Sequence, residues 1–228
     1  MIYAISDLHL SFGSNKPMEV FGEGWQDYLS KIKASWSALS DTDTVLLAGD
    51  LSWAMRLENA AEDFAFLSSL PGRKIITRGN HDYWWNSYNK LRLALPKDVI
   101  ALQNNAVRIE GAVVCGSRGW LIPTPDSPEE DVKIFNRELI RLQMSLDEGK
   151  KLLEPGDQLI VMIHYPPYVG RFEPTPFTKL FKDYGVDKVV YGHIHGKGSF
   201  HKRNVHIDGV EYILTSTDMV DHTLVPIL

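Results

Sequence analysis

A chain of 228 residues that is 44% hydrophobic and 23% charged can bury a sizeable core, and its composition is that of a folded protein rather than a disordered one. The net charge of −5 supplies no basic field for a phosphate backbone, so no stable nucleic-acid partner is expected. A single cysteine, Cys115, excludes an internal disulfide and a thiolate metal cage, and with no apolar run long enough for a transmembrane segment a cytoplasmic protein is expected.

The first run, IYAIS, meets a carboxylate at Asp7, too early for a signal-peptide core. Further strand-length runs follow in TVLLA before Gly49, KIIT before Arg78, VIAL near 100, AVVCG near 114, LIVMIH near 161, KVVYG near 190, and then VHID and EYILTS. Most are continuously apolar, the pattern of strands covered on both faces. Cys115, inside AVVCG, reads as a small buried hydrophobe.

Helical periodicity places Trp25, Tyr28, Leu29, Ile32, Trp36 and Leu39 on one face of a helix over 25–39. A second helix over 57–70 aligns Leu57, Ala60, Ala61, Phe64 and Leu67, and YWWNSYNKLRLAL opens another with three aromatics as its anchor. Ser127-Pro-Glu-Glu130 predicts a capped start, with Glu130 closing a capping box, for a helix carrying Val132, Phe135, Leu139, Leu142 and Leu146. Strand–helix alternation in the first half predicts a mainly parallel sheet, and the close runs around IDGVEY in the second half predict hairpins. Two sheets packed together and flanked by helices satisfy both halves, as one domain over residues 1–228. The proline-rich segments 123–130 and 166–177 read as surface loops.

Five polar clusters close five of the predicted strands: Asp7-Leu-His9, Gly49-Asp50, Gly79-Asn-His-Asp82, His164, and Gly192-His-Ile-His195. Sites in α/β sheets form outside the carboxyl ends of strands, so these clusters can converge. Carboxylate, imidazole and amide donors without sulfur suit divalent Mn²⁺, Fe²⁺ or Zn²⁺. The spacing of two in Asp7/His9 and His193/His195 puts each pair on one side of an extended segment, and the glycines at 49, 79 and 192 let the backbone turn the donors inward.

In this order the blocks DLH, GD, GNHD, the histidine of IHYPP, and GHIH resemble those of the calcineurin-like metallophosphoesterases, from residue 7 to residue 195. The resemblance implies a four-layer α-β-β-α sandwich of two mixed sheets flanked by helices. It implies two divalent metal ions, one held by Asp7, His9, Asp50 and His195 and the other by Asp50, Asn80, His164 and His193, with Asp50 bridging. The activity implied is hydrolysis of a phosphomonoester, phosphodiester or nucleotide-type small molecule by metal-bound hydroxide, with His81 protonating the leaving group. Many members carry an aspartate that supports the imidazole equivalent to His81; here Trp53 stands in its place, leaving Asp82 as the candidate substitute.

Arg118 is the first candidate for a substrate-phosphate contact and Arg171 the second. Trp53 and Trp120 are placed at a pocket rim, whereas His201, His206 and His222 lack ligand spacing and read as structural or exposed, and Asp218 and Asp221 read as packing groups of the tail. Two competing functions stand beside the esterase: a non-catalytic scaffold on the same fold, and a nucleotide or lipid-precursor pyrophosphatase that needs an apolar lid, for which LFKDYG and the loop 166–178 are the candidates. The sequence is silent on oligomeric state and on which ester is cleaved.

Overall fold

In most of the strands alternate side chains are apolar on both faces, and that pattern builds two sheets with a core between them and another outside each. The computed structural model describes residues 1–170, 172–196 and 202–228, so Arg171 and His201 lie outside the described residues. The first sheet contains β1 (Ile2–Ile5), β2 (Thr44–Ala48), β3 (Arg73–Thr77) and β4 (Val99–Leu102), all parallel, with β11 (Val225–Pro226) antiparallel on β1. The second contains β5 (Ala106–Ile109), β6 (Ala112–Ser117), β7 (Gln158–Ile163), β8 (Lys188–Tyr191), β10 (Val210–Leu214) and β9 (Asn204–Ile207), in that spatial order.

In β7, Ile160 and Met162 face the first sheet, where they join Leu46, Ala48 and Ile75 in a buried inter-sheet layer. Their neighbours Leu159, Val161 and Ile163 face outward, into a core shared with α4 (Glu129–Leu152) and α5 (Pro176–Tyr184). The outer face of the first sheet is likewise covered by α1 (Tyr28–Trp36), α2 (Ala61–Ser68) and α3 (Tyr88–Ala94), with Trp36, Phe64 and Leu91 buried against Val45 and Leu47. The four layers expected from the sequence are therefore present.

Several local expectations change. Four strands of the second sheet, β6, β7, β8 and β10, run parallel, and the hairpins β5–β6 and β9–β10 are confined to its edges. Trp25 ends a 3₁₀ turn ahead of α1, and Leu57–Ala60 forms another ahead of α2. Trp84 and Trp85 are buried before α3 begins rather than within it. No capping box forms at α4: Pro128 is its extended N-cap residue, and Ser127 Oγ accepts instead from Thr124 N at 2.8 Å. The box appears at α5, where Thr175 and Thr178 cap each other reciprocally. Phe177 and Phe181 of α5 pack on the outer face of the second sheet, which commits that helix to the core and not to a lid. Cys115 is buried, and burial pushes its thiol up to about 12.

Candidate metal centre

The carboxyl ends of β1, β2 and β3 in one sheet face those of β7 and β8 in the other, and each is followed directly by one of the polar clusters. The segments carrying Asp7, His9 and His193 are not extended, as their spacing suggested. Asp7, His9, Asp50 and His193 have φ values of 58°, 47°, 52° and 71°, in the left-handed region that costs side-chain-bearing residues on the order of 1 kcal/mol or more. Four donors are thus aimed inward by backbone strain. Gly49 has φ 92°, whereas Gly79 and Gly192 serve close approach: a Cβ would collide with Asp50 Oδ1 at the first and with Asp7 Oδ2 at the second.

The seven donors converge in two groups. Asp7, His9 and His195 offer ligand atoms within 4.8 Å of one another, and Asp7, Asp50 and His164 do the same. Asp7 is common to both groups, and Asp50 Oδ2, 3.5 Å from His164 Nε2, also lies 3.8 Å from His9 Nε2 of the first. Asn80 Oδ1 lies 2.7 Å from His164 Nε2 and 2.9 Å from His193 Nδ1, which are themselves 3.3 Å apart. Donors held about 2.0–2.2 Å from one ion stand roughly 2.9–3.5 Å from each other, so these spacings fit a divalent cation. His164 Nδ1 is 3.0 Å from Ala48 O, which can only accept, so in the neutral imidazole the proton is on Nδ1 and Nε2 has none to give Asn80. Two acceptors at 2.7 Å need a cation or a proton between them.

Electrostatics divides the imidazoles into pairs. Burial pushes His9 and His193 down to about 4, in His193 with help from the charge on His164. Burial opposes the proton on His164 and His195 as well, but Asp50 and Asp7 raise His164 to about 9, and Asp218 with Asp7 raises His195 to about 10. Burial alone would raise the Asp7 carboxyl; His195 at 3.5 Å and the neighbouring histidine charges hold it well below the usual carboxylate range. Two histidines are therefore ready as ligands, and a cation must displace protons from the other two.

Asp218 is the residue that sequence reasoning missed. It lies two residues beyond the bridge Ser6–Ser216 and accepts from His195 Nδ1 at 2.7 Å and from Gly196 N at 2.9 Å, which fixes the tautomer that turns Nε2 toward Asp7. A carboxylate in the tail of a chain with seven candidate donors in five clusters was the available signal.

Among the described residues no carboxylate pairs with the His81 imidazole, and its Nδ1 is buried without a partner. Asp82, the candidate substitute, is buried and accepts from the N–H groups of Asp50, Leu51, Ser52 and Gly79 and from Trp84 Nε1, clasping the loop instead. Trp53 supports the ring by contact: its centroid lies 4.5 Å from that of His81 and 4.6 Å, nearly parallel, from that of His9. Met18, Phe21, Trp25 and Trp53 wall a cavity of about 370 Å³ that His9, His81 and His195 also line; Trp53 is half-buried there and Trp25 buried.

Trp120 is placed elsewhere, on Asp131 and under the Arg118 guanidinium. Arg118 does not line this cavity; it pairs with Glu138 in a second, smaller one. His222 is buried between Thr217 and Gly24 O, and His206 is exposed on β9.

The family model for calcineurin-like phosphoesterases matches residues 1–197. The chain belongs to that family. Three solved structures share the fold at 17% identity. A Thermus thermophilus protein aligns over 98% of this chain and 96% of its own, with a TM-score of 0.60. A phosphopantetheinyl hydrolase of Mycobacterium tuberculosis aligns over 94% and 88%, with a TM-score of 0.57. A protein of unknown function from Aquifex aeolicus aligns over 99% and 94%, with a TM-score of 0.52. No curated protein matches the sequence. Membership points to metal-dependent phosphoester hydrolysis, and no helix among the described residues is long and apolar enough to cross a membrane.

Proposed function

We propose that the chain hydrolyses a phosphomonoester, phosphodiester or nucleotide-type substrate at two divalent cations, Mn²⁺, Fe²⁺ or Zn²⁺. Asp7, His9, Asp50 and His195 would hold one cation, and Asp50, Asn80, His164 and His193 the other. The observation that carries this reading is the close approach of Asn80 Oδ1, His164 Nε2 and His193 Nδ1 beside Asp50, at spacings that ligands of one cation adopt once the His164 proton is displaced. Cations bound there supply Lewis acidity to a phosphoryl oxygen and lower the pKa of water.

The protein's own groups do the rest. Asp50 Oδ1 accepts from His81 N at 2.8 Å, which ties the imidazole to the donor cluster. From that position, in the lining of the apolar cavity, His81 would give a proton to the departing alkoxide. Trp53, Phe21, Trp25 and Met18 would hold the body of the leaving group and keep bulk water from it. This favours esters with an aromatic or extended apolar group over small polar ones.

The test is a substrate panel on metal-loaded protein: aryl monoester, aryl diester, nucleotide, sugar nucleotide and phosphopantetheinyl ester, the last included because of the Mycobacterium tuberculosis neighbour's name. Turnover of aryl or long-armed esters above glycerol phosphate is expected. Inertness throughout the panel with each of the three metals would overturn the proposal and leave a scaffold, and turnover confined to sugar nucleotides would select the pyrophosphatase.

A further inference from the structure

A second polar cavity, sharing no lining residue with the one over His81, opens between the carboxyl ends of β3, β4 and β6 and the flank of α4. Thr77, Arg78, Gln103, Arg118, Glu138 and Arg141 line it. Glu138 is buried to 1% exposure, and one of its oxygens takes both Arg141 Nη1, at 2.7 Å, and Arg118 Nη2, at 3.4 Å. Arg78 pairs with no carboxylate within 4.0 Å among the described residues. Asp82, the other carboxylate near it, is occupied by its five N–H donors. Two guanidinium groups thus share the Glu138 carboxylate and a third, Arg78, has no paired carboxylate, so positive charge is in excess at a cavity where Arg118 is mostly buried and Arg141 is 31% exposed.

Three hydrogen-bonding atoms at this cavity have no partner among the described residues. Arg78 Nε and Arg118 Nε are buried donors, and Thr77 Oγ1 belongs to a side chain only 1% exposed. Buried groups of this kind cost stability unless something satisfies them. Water can serve the hydroxyl but does not neutralise the charge. The cavity measures about 50 Å³, and at roughly 10–15 Å³ per water it has room for a few waters or for one small anion.

We infer that this cavity is an oxyanion site distinct from the metal centre, built to take a tetrahedral phosphate or sulfate group. Guanidinium forks match such oxygens bidentately, and the threonine hydroxyl adds a neutral donor. The size admits the anionic head alone, so the group is either a free ion or the terminal group of a longer molecule. The site stands on geometry independent of the proposed esterase activity.

Sulfate is the probe, titrated into metal-loaded full-length protein while the melting temperature is followed. Saturable stabilisation is expected in the wild type and in Asp50→Asn, which disables the metal cluster. Arg141→Gln, in which Glu138 keeps Arg118 as a partner, should weaken the apparent affinity by about tenfold. Thr77→Val should melt no lower than the wild type without sulfate, because it removes an unsatisfied hydroxyl, yet gain less from sulfate. Sulfate that stabilises without inhibiting hydrolysis of an aryl ester identifies a free-ion site, whereas competition only with substrates bearing a second phosphoryl group identifies a substrate subsite. Absence of saturation in the wild type, or saturation that vanishes in Asp50→Asn and survives in Arg141→Gln, would place the anion elsewhere and overturn the inference.

Discussion

At the amino ends of the strands, charges close on one another. Lys74, wholly buried at the start of β3, donates to Leu70 O and to Asp98 at 2.8 Å; the Met1 ammonium meets Asp43 at 3.1 Å; Lys188 meets Glu211 at 3.0 Å. At the carboxyl ends, His9 Nδ1, Thr77 Oγ1, Arg78 Nε, His81 Nδ1 and Arg118 Nε are buried with no partner, and Asp7, His9, Asp50 and His193 adopt left-handed backbone. Gln158 Oε1 is the exception, an unpaired buried atom at an amino end. The contrast separates two uses of polarity. Groups that satisfy each other hold the sheets in place, and groups that the chain leaves unsatisfied are aimed at something it does not itself supply.

The largest expected effect tests that division directly. Asp50→Asn removes the carboxylate that approaches histidines of both donor groups and should lower turnover on the order of 10³-fold or more, with loss of bound metal. Without metal it should still fold, because Asp82 holds the backbone N–H groups of residues 50 and 51, but at a lower melting temperature, since the charge that sustains the His164 proton is lost. Metal analysis, calorimetry and steady-state kinetics on one preparation read all three. A variant that unfolds outright would show that the carboxyl end is structural after all.

His81→Ala comes next and depends on the leaving group. General-acid help contributes about 10²–10⁴-fold when the leaving alkoxide is basic and little when it is nitrophenolate. Rates measured on an alkyl ester and a nitrophenyl ester with the same variant should therefore diverge. Equal losses on both would reassign His81 to positioning.

Asp218→Asn should weaken metal affinity by about 10–100-fold through the orientation of His195, and should lower the melting temperature without metal at neutral pH because the charge holding the His195 proton is lost. A competition assay with a coloured chelator measures the first and thermal melting the second.

The convergence of the candidate donors was legible because each follows an apolar run within the same short segment, as in TVLLAGD or KIITRGNHD. Asp218 was not, because it reaches His195 across the fold from beyond β10, 23 residues along the chain. The arginine cavity was hidden for the same reason: Arg78, Arg118 and Arg141 come from three segments, and only packing brings them to Glu138. Arg118 was singled out from its place after a strand end, yet position alone does not say which of two neighbouring cavities a long side chain enters. The hairpin at Ile207-Asp-Gly-Val210 was readable because Asp208 and Gly209 both need positive φ, at 52° and 84°. The parallel pairing of β8 with β10 was not, since a continuous apolar strand carries no mark of its neighbour's direction. Capping failed at α4 because a serine before proline has another suitor, here Thr124 N.

The smallest effect belongs to the amino end. Burial alone would raise the Asp98 carboxyl, but hydrogen bonds from Lys74 and Ser68 outweigh it and leave its pKa below the ordinary 3.8. A carboxylate depressed by folding contributes stability above its unfolded pKa and loses that contribution as pH falls through the folded value. Asp98→Asn should accordingly cost about 2 kcal/mol at neutral pH, less than the 3–5 kcal/mol for a fully buried pair because Asp98 is 34% exposed. Below pH 3.8 the denaturation midpoints of wild type and variant should approach each other, since protonation removes the same charge from the native protein. Metal content and turnover at neutral pH should be unchanged. A gap that persists unaltered into acid would mean that Asp98 holds Lys74 by shape rather than by charge, and a fall in metal content would mean that the two ends of the sandwich are coupled through β3.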